Sequence, residues 1–302
     1  MLNPHFSFLI LTYNEEQNLP RLFNSIYNPN AFNALSALNV LDVLNAAVFV
    51  LDSGSDDQTL SIAKRYGAKV RQNPFVNHPL QWHHALQAFD IQTPWVIGLD
   101  ADQILSEELK QRLLRFKNED YTDIDGIYFN RKNYFKGKWM KYGGLYPFYQ
   151  LKMFRYTKGY SDLNEQMDHR FIVPGKTLIW KDAYLIEENL KENTVRFWID
   201  KHNVYSDLLA KEEVERRLLL RVQTLKASFR GSPDQRRARL KKLWWWMPLF
   251  VRPFIYFIYR YILRLGILDG YQGFLFHFLQ GFWFRLMVDV KIKEITDRHD
   301  TN

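Results

Sequence analysis

The sequence predicts an α/β fold, a mostly parallel sheet flanked by helices, followed by an amphipathic helical region toward the C-terminal end. Three observations carry this reading. Short apolar runs at 6–11, 47–51 and 95–99 alternate with segments of helical periodicity, the rhythm of βαβ units joined by right-handed crossovers. Each run stops abruptly at polar residues, as strands buried on both faces do. Beyond residue 230 the chain mixes aromatic and basic residues instead.

The elements follow in order. Residues 6–11 read as a first strand and 12–16 as a polar loop. Leu19, Leu22, Phe23 and Ile26 share one face of a helix over 18–27. Residues 28–44 repeat Asn, Ala and Leu and read as an insertion forming an extra helix. A second strand at 47–51 ends at Asp52-Ser53-Gly54-Ser55-Asp56-Asp57, where Asp56 or Asp57 would cap a helix carrying Leu60, Ile62, Ala63 and Tyr66, closed by Gly67. Residues 69–71 form a short strand, 80–89 a helix, 95–99 the next strand and 107–117 an amphipathic helix. There the rhythm changes. Residues 126–130 and 150–155 read as strands of a second, mixed part of the sheet, with Gly143-Gly144 a turn between them. Residues 193–225 are mostly helical until Arg230-Gly231-Ser232-Pro233 breaks them. A boundary near 230 separates a main domain, itself divided near 117, from the region 231–302.

The chain has 302 residues and no cysteine. That excludes a disulfide framework and thiolate metal sites, and fits a reducing compartment. No basic, then apolar, segment opens it, so no signal peptide is expected. The formal charge is +8, and residues 211–264 alone carry 14 Lys/Arg against 4 Asp/Glu. The rest is therefore slightly acidic. Within and beside this basic block lie Trp244-Trp245-Trp246 and the apolar stretch 254–265. Arg252, Arg260, Arg264, Asp269 and Arg285 interrupt every stretch long enough to span a bilayer. Trp and Tyr beside Arg and Lys suit the headgroup layer of an anionic membrane surface. The apolar content exceeds what a phosphate-binding face needs, so nucleic acid is not the expected partner.

The run 95–99 ends at Asp100-Ala101-Asp102. Open α/β sheets bind ligands at the carboxyl ends of their strands. Two carboxylates there suit a hard divalent cation that also holds substrate phosphates. Asp123-Ile124-Asp125 has the same spacing but follows the polar stretch Asn118-Glu119-Asp120 and reads as a turn. His83 and His84 are neighbours on a helix, point apart, and make no metal pair.

The loop residues 11–19, the segment 50–59 and Leu99-Asp100-Ala101-Asp102, in this order and spacing, resemble family 2 glycosyltransferases of GT-A fold, a Rossmann-like sheet flanked by helices. With Leu145-Tyr146-Pro147, Gln150-Leu151-Lys152-Met153-Phe154-Arg155 and residues 266–274, the chain is most similar to the bacterial lipopolysaccharide-core β-glucosyltransferases. The resemblance implies a catalytic domain over 1–230, with a nucleotide-sugar half and an acceptor half. It implies a UDP-sugar donor and an inverting transfer to a lipopolysaccharide-core or other lipid-linked glycan, on the cytoplasmic face of the bacterial plasma membrane. Thr12, Tyr13 and Glu15 would line the nucleotide pocket, and Asp52 would bond the base. Asp102 would bind Mg²⁺ or Mn²⁺, with Asp100 toward the ribose or the metal. Inversion needs a general base opposite the leaving diphosphate. Glu165 fills that role by position, with Asp162 and Asp168 as substitutes.

Two positions depart from the family pattern: Gln103 replaces an acid, and Asn164 replaces the His of a His-Glu pair. Two other readings stay open. A polyprenyl-phosphate sugar synthase shares the N-terminal motifs but often carries membrane spans. A degenerate glycan-binding or scaffold protein would not need Asp100, Asp102 and Glu165 together.

Overall fold

The computed structural model describes residues 4–27, 44, 46–165, 169–218 and 227–300. The extra helix expected over 28–44 lies outside these residues save Leu44, as do the last residues of the helix expected to reach 225. The chain divides into two compact units, residues 1–131, 149–163 and 169–190, and residues 132–148, 164–168 and 191–302.

In the first unit β1 (Phe6–Thr12), β2 (Ala47–Asp52), β3 (Lys69–Gln72) and β4 (Trp95–Asp100) lie in the order β3-β2-β1-β4, all parallel. The later strands are β5 (Gln103–Leu105), β6 (Gly126–Phe135), β7 (Lys138–Trp139), β8 (Tyr149–Arg155), β9 (Tyr160–Ser161), β10 (Phe171–Ile172) and β11 (Thr177–Glu187). The sheet continues from β4 through β8, β6, β11 and β5. The β4–β8, β8–β6 and β11–β5 pairings are antiparallel, the mixed part that the rhythm change predicts. β9 and β10 form a separate two-stranded ribbon.

Alternation explains why residues 8–11 of β1 are apolar without a break. Phe6, Phe8 and Ile10 face one layer with Val48 and Val50, under α1 (Leu19–Ile26), α2 (Thr59–Arg65) and α4 (Glu107–Leu114). Leu9 and Leu11 face the other with Phe49 and Leu51, under α3 (His78–Ala88). A strand covered on both faces leaves little room for a polar side chain, and Ser7, buried within β1, has its hydroxyl 2.8 Å from that of Thr93. Gly98 shows how tight this is: a Cβ there would stand 2.5 Å from the ring of Phe171.

Caps set the helix boundaries. α3 starts at His78, earlier than the periodicity indicates, because Asn77 accepts from the Leu80 amide with Pro79 in the first turn. Ser106 caps α4 and puts Glu107 and Glu108 at its positive end. Asp57 is not the α2 cap residue, which is Gln58, but its Oδ1 accepts the Thr59 amide at 2.9 Å.

The second unit holds β7, the end of β6 and the helices α5 (Val195–Arg217), α6 (Pro233–Trp246), α7 (Arg252–Ile258), α8 (Gly270–Phe276) and α9 (Phe284–Asp300). Its core includes Phe135, Met140, Trp198, Leu209, Phe276 and Ile292. Ser232 and Gln235 make a capping box at α6, just where the sequence shows its break. α5 runs along α9, with Lys291 bonding the Asn203 carbonyl at 2.7 Å and pairing with Asp207. This packing places residues 191–230 in one unit with the C-terminal helices. Sequence periodicity alone groups them with the preceding domain. Arg252, fully buried, ties α7 to Asp289 (2.5 Å) and Glu213 (2.6 Å). Among the described residues no helix is long and apolar enough to cross a membrane.

Candidate functional site

Three adjacent parallel strands of the first unit end level with one another. Thr12 on β1 is in register with Asp52 on β2, and Leu11 with Asp100 on β4. The loops after β1 and β2 are then stitched together. The amides of Asn14, Glu15 and Glu16 donate to Ser55, Thr59 and Asp57, and the Asp56 amide donates back to Asn14. Asn14 takes a left-handed backbone (φ 52°), which its short polar side chain tolerates. Gly54 (φ 94°) supplies the turn in the second loop. The rim so built leaves the Tyr13 ring 57% exposed. Glu15 accepts from the Asn18 side chain at 2.7 Å and so fixes the start of α1.

Asp52 is fully buried, and both its oxygens are used by the chain itself. Oδ1 accepts from the amides of Gly54 (2.9 Å) and Ser55 (2.8 Å) and from Gln72 (3.3 Å). Oδ2 accepts from the hydroxyls of Thr12 (2.9 Å) and Ser55 (2.5 Å). Burial pushes this carboxyl up, and the hydrogen bonds from Ser55, Thr12 and Gln72 more than offset it, leaving the group below its ordinary value. Asp52 is thus the knot of the loops after β1 and β2.

Asp100 is the centre of a second cluster. Lys152 on β8 reaches its Oδ2 at 3.0 Å, and His78 at the start of α3 lies 3.5 Å from Oδ1. Burial opposes ionisation here, but the Lys152 ammonium and then His78 hold the carboxyl well below the usual carboxylate range. His169 stacks on Trp82 (5.1 Å, 21°) and meets His78 edge-on at 5.5 Å. Burial, then the neighbouring His78 and Lys152, push its imidazole well below the usual histidine range. Its buried Nε2 has no partner among the described residues.

Asp102 lies half-buried in the turn between β4 and β5, its carbonyl accepting from the Glu188 amide. Gln103, the departure noted above, clamps that turn. Its Oε1 accepts from the Asp100 amide (3.1 Å), and its Nε2 donates to Glu187 (2.8 Å). A carboxylate could not make the second bond, and Glu187 already pairs with Arg131.

Glu165 belongs to the second unit. It is 3% exposed, and one oxygen accepts from Arg216 and Lys241, each at 3.0 Å. Both cations also approach Glu212. Asp162, in the first unit, is buried and paired with Arg170 at 2.9 Å. Asp168 lies outside the described residues. The structure therefore gathers Thr12, Tyr13, Glu15, Asp52, Asp100 and Asp102 on one unit's strand ends, and sets Glu165 in an ion-pair network of the other.

Among the described residues no group of three His, Cys, Asp or Glu forms a closed metal cage. Mg²⁺ needs none where a substrate diphosphate shares it, since one or two carboxylates then suffice. Asp102 and Asp100 are oxygen donors of that kind.

Periodicity does not single out Lys152, His78, His169 or Gln81. Gln81 is buried and bonds Ser53 and Asn73, bracing the Asp52 loop from α3. One signal was available: Lys152 interrupts the run Leu151-Lys152-Met153-Phe154, and a lysine inside a buried strand needs an anion.

Comparison with known proteins places these motifs. An uncharacterized glycosyltransferase of Rickettsia typhi is 33% identical over 107 residues, 35% of this chain and 31% of that protein. One of Rickettsia conorii is 31% identical over 112 residues, 37% and 34%. The matched stretch spans about a third of these curated relatives. Among solved structures, S. aureus TarS 1-349 in complex with UDP-GlcNAc is 15% identical, covering 98% of this chain and 92% of that one, at a TM-score of 0.43. Glucosyl-3-phosphoglycerate synthase from Mycobacterium tuberculosis, with Mn²⁺ and uridine diphosphate, is 21% identical over 42% of this chain and 44% of that one, at 0.29. At such scores these likenesses say nothing of this chain's ligands. The family match is of another order: residues 7–184, more than half the chain, fit the model of Glycosyl transferase family 2, and the chain belongs to that family.

Proposed function

We propose that this glycosyltransferase moves a hexose from a UDP-sugar to a hydroxyl of a lipopolysaccharide-core or other lipid-linked glycan, with inversion and with Mg²⁺ or Mn²⁺. The observation that carries the donor side is the level ending of β1, β2 and β4 at Thr12, Asp52 and Asp100. Such an edge is where α/β sheets take nucleotides. The exposed Tyr13 ring offers a face for the base, with Thr12 and Glu15 beside it and Asp52 holding the loop in shape. Asp102, with Asp100, would hold the cation, which when bound neutralises charge on the departing diphosphate.

In the transfer the acceptor oxygen bonds to the anomeric carbon while the bond from that carbon to the diphosphate oxygen breaks, releasing UDP. The acceptor proton goes to a carboxylate, and Glu165 is the residue proposed. To take that proton it must give up Arg216 and Lys241. The same segment carries Asp162 and Asp168.

The acceptor class fits the second unit's surface. Trp246, Leu263 and Tyr271 are largely exposed on a segment rich in arginine. Such a surface suits peripheral attachment to an anionic membrane, here the cytoplasmic face of a bacterial plasma membrane. The deciding experiment is a donor panel with purified protein, scored for metal-dependent UDP release with and without lipopolysaccharide-core acceptors. Release from a UDP-hexose, stimulated by acceptor, is expected. Binding of glycans with no release from any nucleotide-sugar would replace the enzyme reading with a scaffold.

A further inference from the structure

The second unit contains a helical hairpin in which charge and apolar surface are arranged in an unusual way. α7 runs into a wide turn ending at Leu265, which takes a left-handed backbone (φ 59°), and α8 returns. Aromatic contacts join its two arms: Phe257 and the exposed Phe254 pack on Phe282 at 6.1 and 4.8 Å. The outer side is apolar and bare. Ile258, Ile262, Leu263, Leu265, Leu268 and Tyr271 are all exposed.

Arg260 sits within this hairpin and is only 6% exposed. Among the described residues it has no carboxylate partner. Its Nε donates to the Gly143 carbonyl (3.1 Å), Nη1 makes a long bond to the Tyr256 hydroxyl (3.4 Å), and Nη2 has no acceptor. Arg285 on α9 lies over the same Tyr256 ring, at 5.8 Å against 5.3 Å for Arg260, and no carboxylate pairs with it among the described residues. The contrast within the unit is informative. Arg252 is buried too, and it meets two carboxylates. Buried charges are paired or they are expensive. Arg260, buried with no anion, is short of a negative ligand, and Arg285, partly exposed over Tyr256, Trp244 (5.6 Å) and Phe284 (5.3 Å), sets a second guanidinium beside the same ring. The Tyr256 hydroxyl accepts from Arg260 and so keeps its own proton to donate. His277 also has unpartnered ring nitrogens, but Gly143 and Gly266 wall it in so closely that a Cβ on either would touch the ring, and no anion fits there.

We propose that Arg260, Arg285 and the Tyr256 hydroxyl form a binding site for the phosphate of a membrane phospholipid, whose acyl chains lie along the exposed apolar side of the hairpin. Guanidiniums match phosphate oxygens in planar, paired hydrogen bonds. A free phosphate would satisfy the arginines but leave Ile258, Ile262 and Leu263 in water, so the lipid is the better occupant. The site rests on the peripheral-membrane reading above and sharpens it. It names one lipid subsite rather than diffuse attraction by the basic block.

The test is flotation of the full chain with phosphatidylcholine vesicles and with vesicles holding roughly a quarter phosphatidylglycerol. The variants are Arg285→Gln, Arg260→Gln/Arg285→Gln and, as a control of equal charge change, Arg236→Gln/Arg239→Gln on the exposed side of α6. The site double is expected to lose on the order of a hundredfold in affinity for anionic vesicles and the control about fivefold, with the difference persisting at high salt. Arg285→Gln alone, which leaves the more buried Arg260 in place, should lose about tenfold. Soluble dihexanoylphosphatidylglycerol should raise the melting temperature of the native chain but not of the site double, and inorganic phosphate at the same concentration should not. Equal losses in the two doubles would overturn the site while leaving membrane attachment standing. Native protein that floats with neither vesicle overturns the membrane reading and the site with it. Equal protection by inorganic phosphate would make this a free-anion site and overturn the lipid assignment.

Discussion

The ammonium of Lys152 stands 3.0 Å from Oδ2 of Asp100. It reaches from antiparallel β8 to the end of parallel β4, across the seam where the sheet changes direction. The lysine is 4% exposed and the aspartate partly open, so the pair holds Asp100 in one orientation with Oδ1 turned to His78. Lys152 is therefore a positioning residue that also places a fixed positive charge behind the strand ends.

Removing that charge has opposite effects on cations and anions. Lys152→Met should bind Mn²⁺ several-fold more tightly, because Asp100 loses its internal counter-ion. It should bind UDP in chelator on the order of tenfold more weakly, because the diphosphate loses a favourable charge. Calorimetry with each ligand alone reads both directions. Unchanged affinities would reduce Lys152 to a packing element.

Asp102 is half-buried at the turn between β4 and β5. Asp102→Ala should abolish transfer while leaving the melting temperature within a degree or so, the usual range for a surface change. Chelator should do the same to the native chain, and added Mn²⁺ should restore only the native one. Full activity in either experiment removes the cation from the reaction.

The cluster at the strand ends was legible because it rests on local rules. Apolar runs that stop at Thr12, Asp52 and Asp100 give the strands, and their parallel pairing brings the ends level. What was not legible depends on long-range contacts. Lys152 meets Asp100 across 52 positions, and His169 joins them through stacking on Trp82, which no periodicity encodes. The grouping of residues 195–217 is illegible for a related reason. Residues 195–217 read as one more helix, and only packing along α9 reveals which core they serve. Asp52 shows the reverse case. The resemblance has it bond the base, whereas both its oxygens accept from the chain's own turn and neighbouring hydroxyls.

Glu165 is asked to do two things, and its variants separate them. Glu165→Gln leaves Arg216 and Lys241 with one fewer negative charge in a buried network, and breaking such a pair typically costs about 3–5 kcal/mol. A drop in melting temperature is therefore expected. Turnover at a temperature where the variant is folded should fall by roughly 10²–10⁴, the usual contribution of a general base, with nucleotide affinity retained. Asp162→Asn and Asp168→Asn are measured alongside. A Glu165→Gln protein that is less stable but turns over normally, with a dead Asp168→Asn, would move the base to Asp168 and leave Glu165 as an anchor.

The pH dependence of stability should be set by buried imidazoles. Burial pulls His202 down to about 4, against Glu192 and its bond to the Trp198 carbonyl, and pulls His277 down to about 3 with help from Arg260. His169 in the first unit is displaced in the same direction. In the folded chain these rings stay neutral, while in the unfolded chain they take up protons near 6.5. As pH falls below 6.5 the unfolded state binds protons that the folded state does not, so stability is full above 6.5 and declines beneath it. The decline from His202 is complete near pH 4 and amounts to about 3 kcal/mol, while that from His277 continues to about pH 3. The depressed Asp52 acts in the same sense but only below its ordinary value of 3.8, so the window from 6.5 to 4 belongs to the histidines. Urea unfolding at half-unit steps across that window reads the slope as protons taken up. His202→Phe and His277→Phe should each flatten it by about one proton. A slope that neither substitution changes would mean that both rings are already charged in the folded protein.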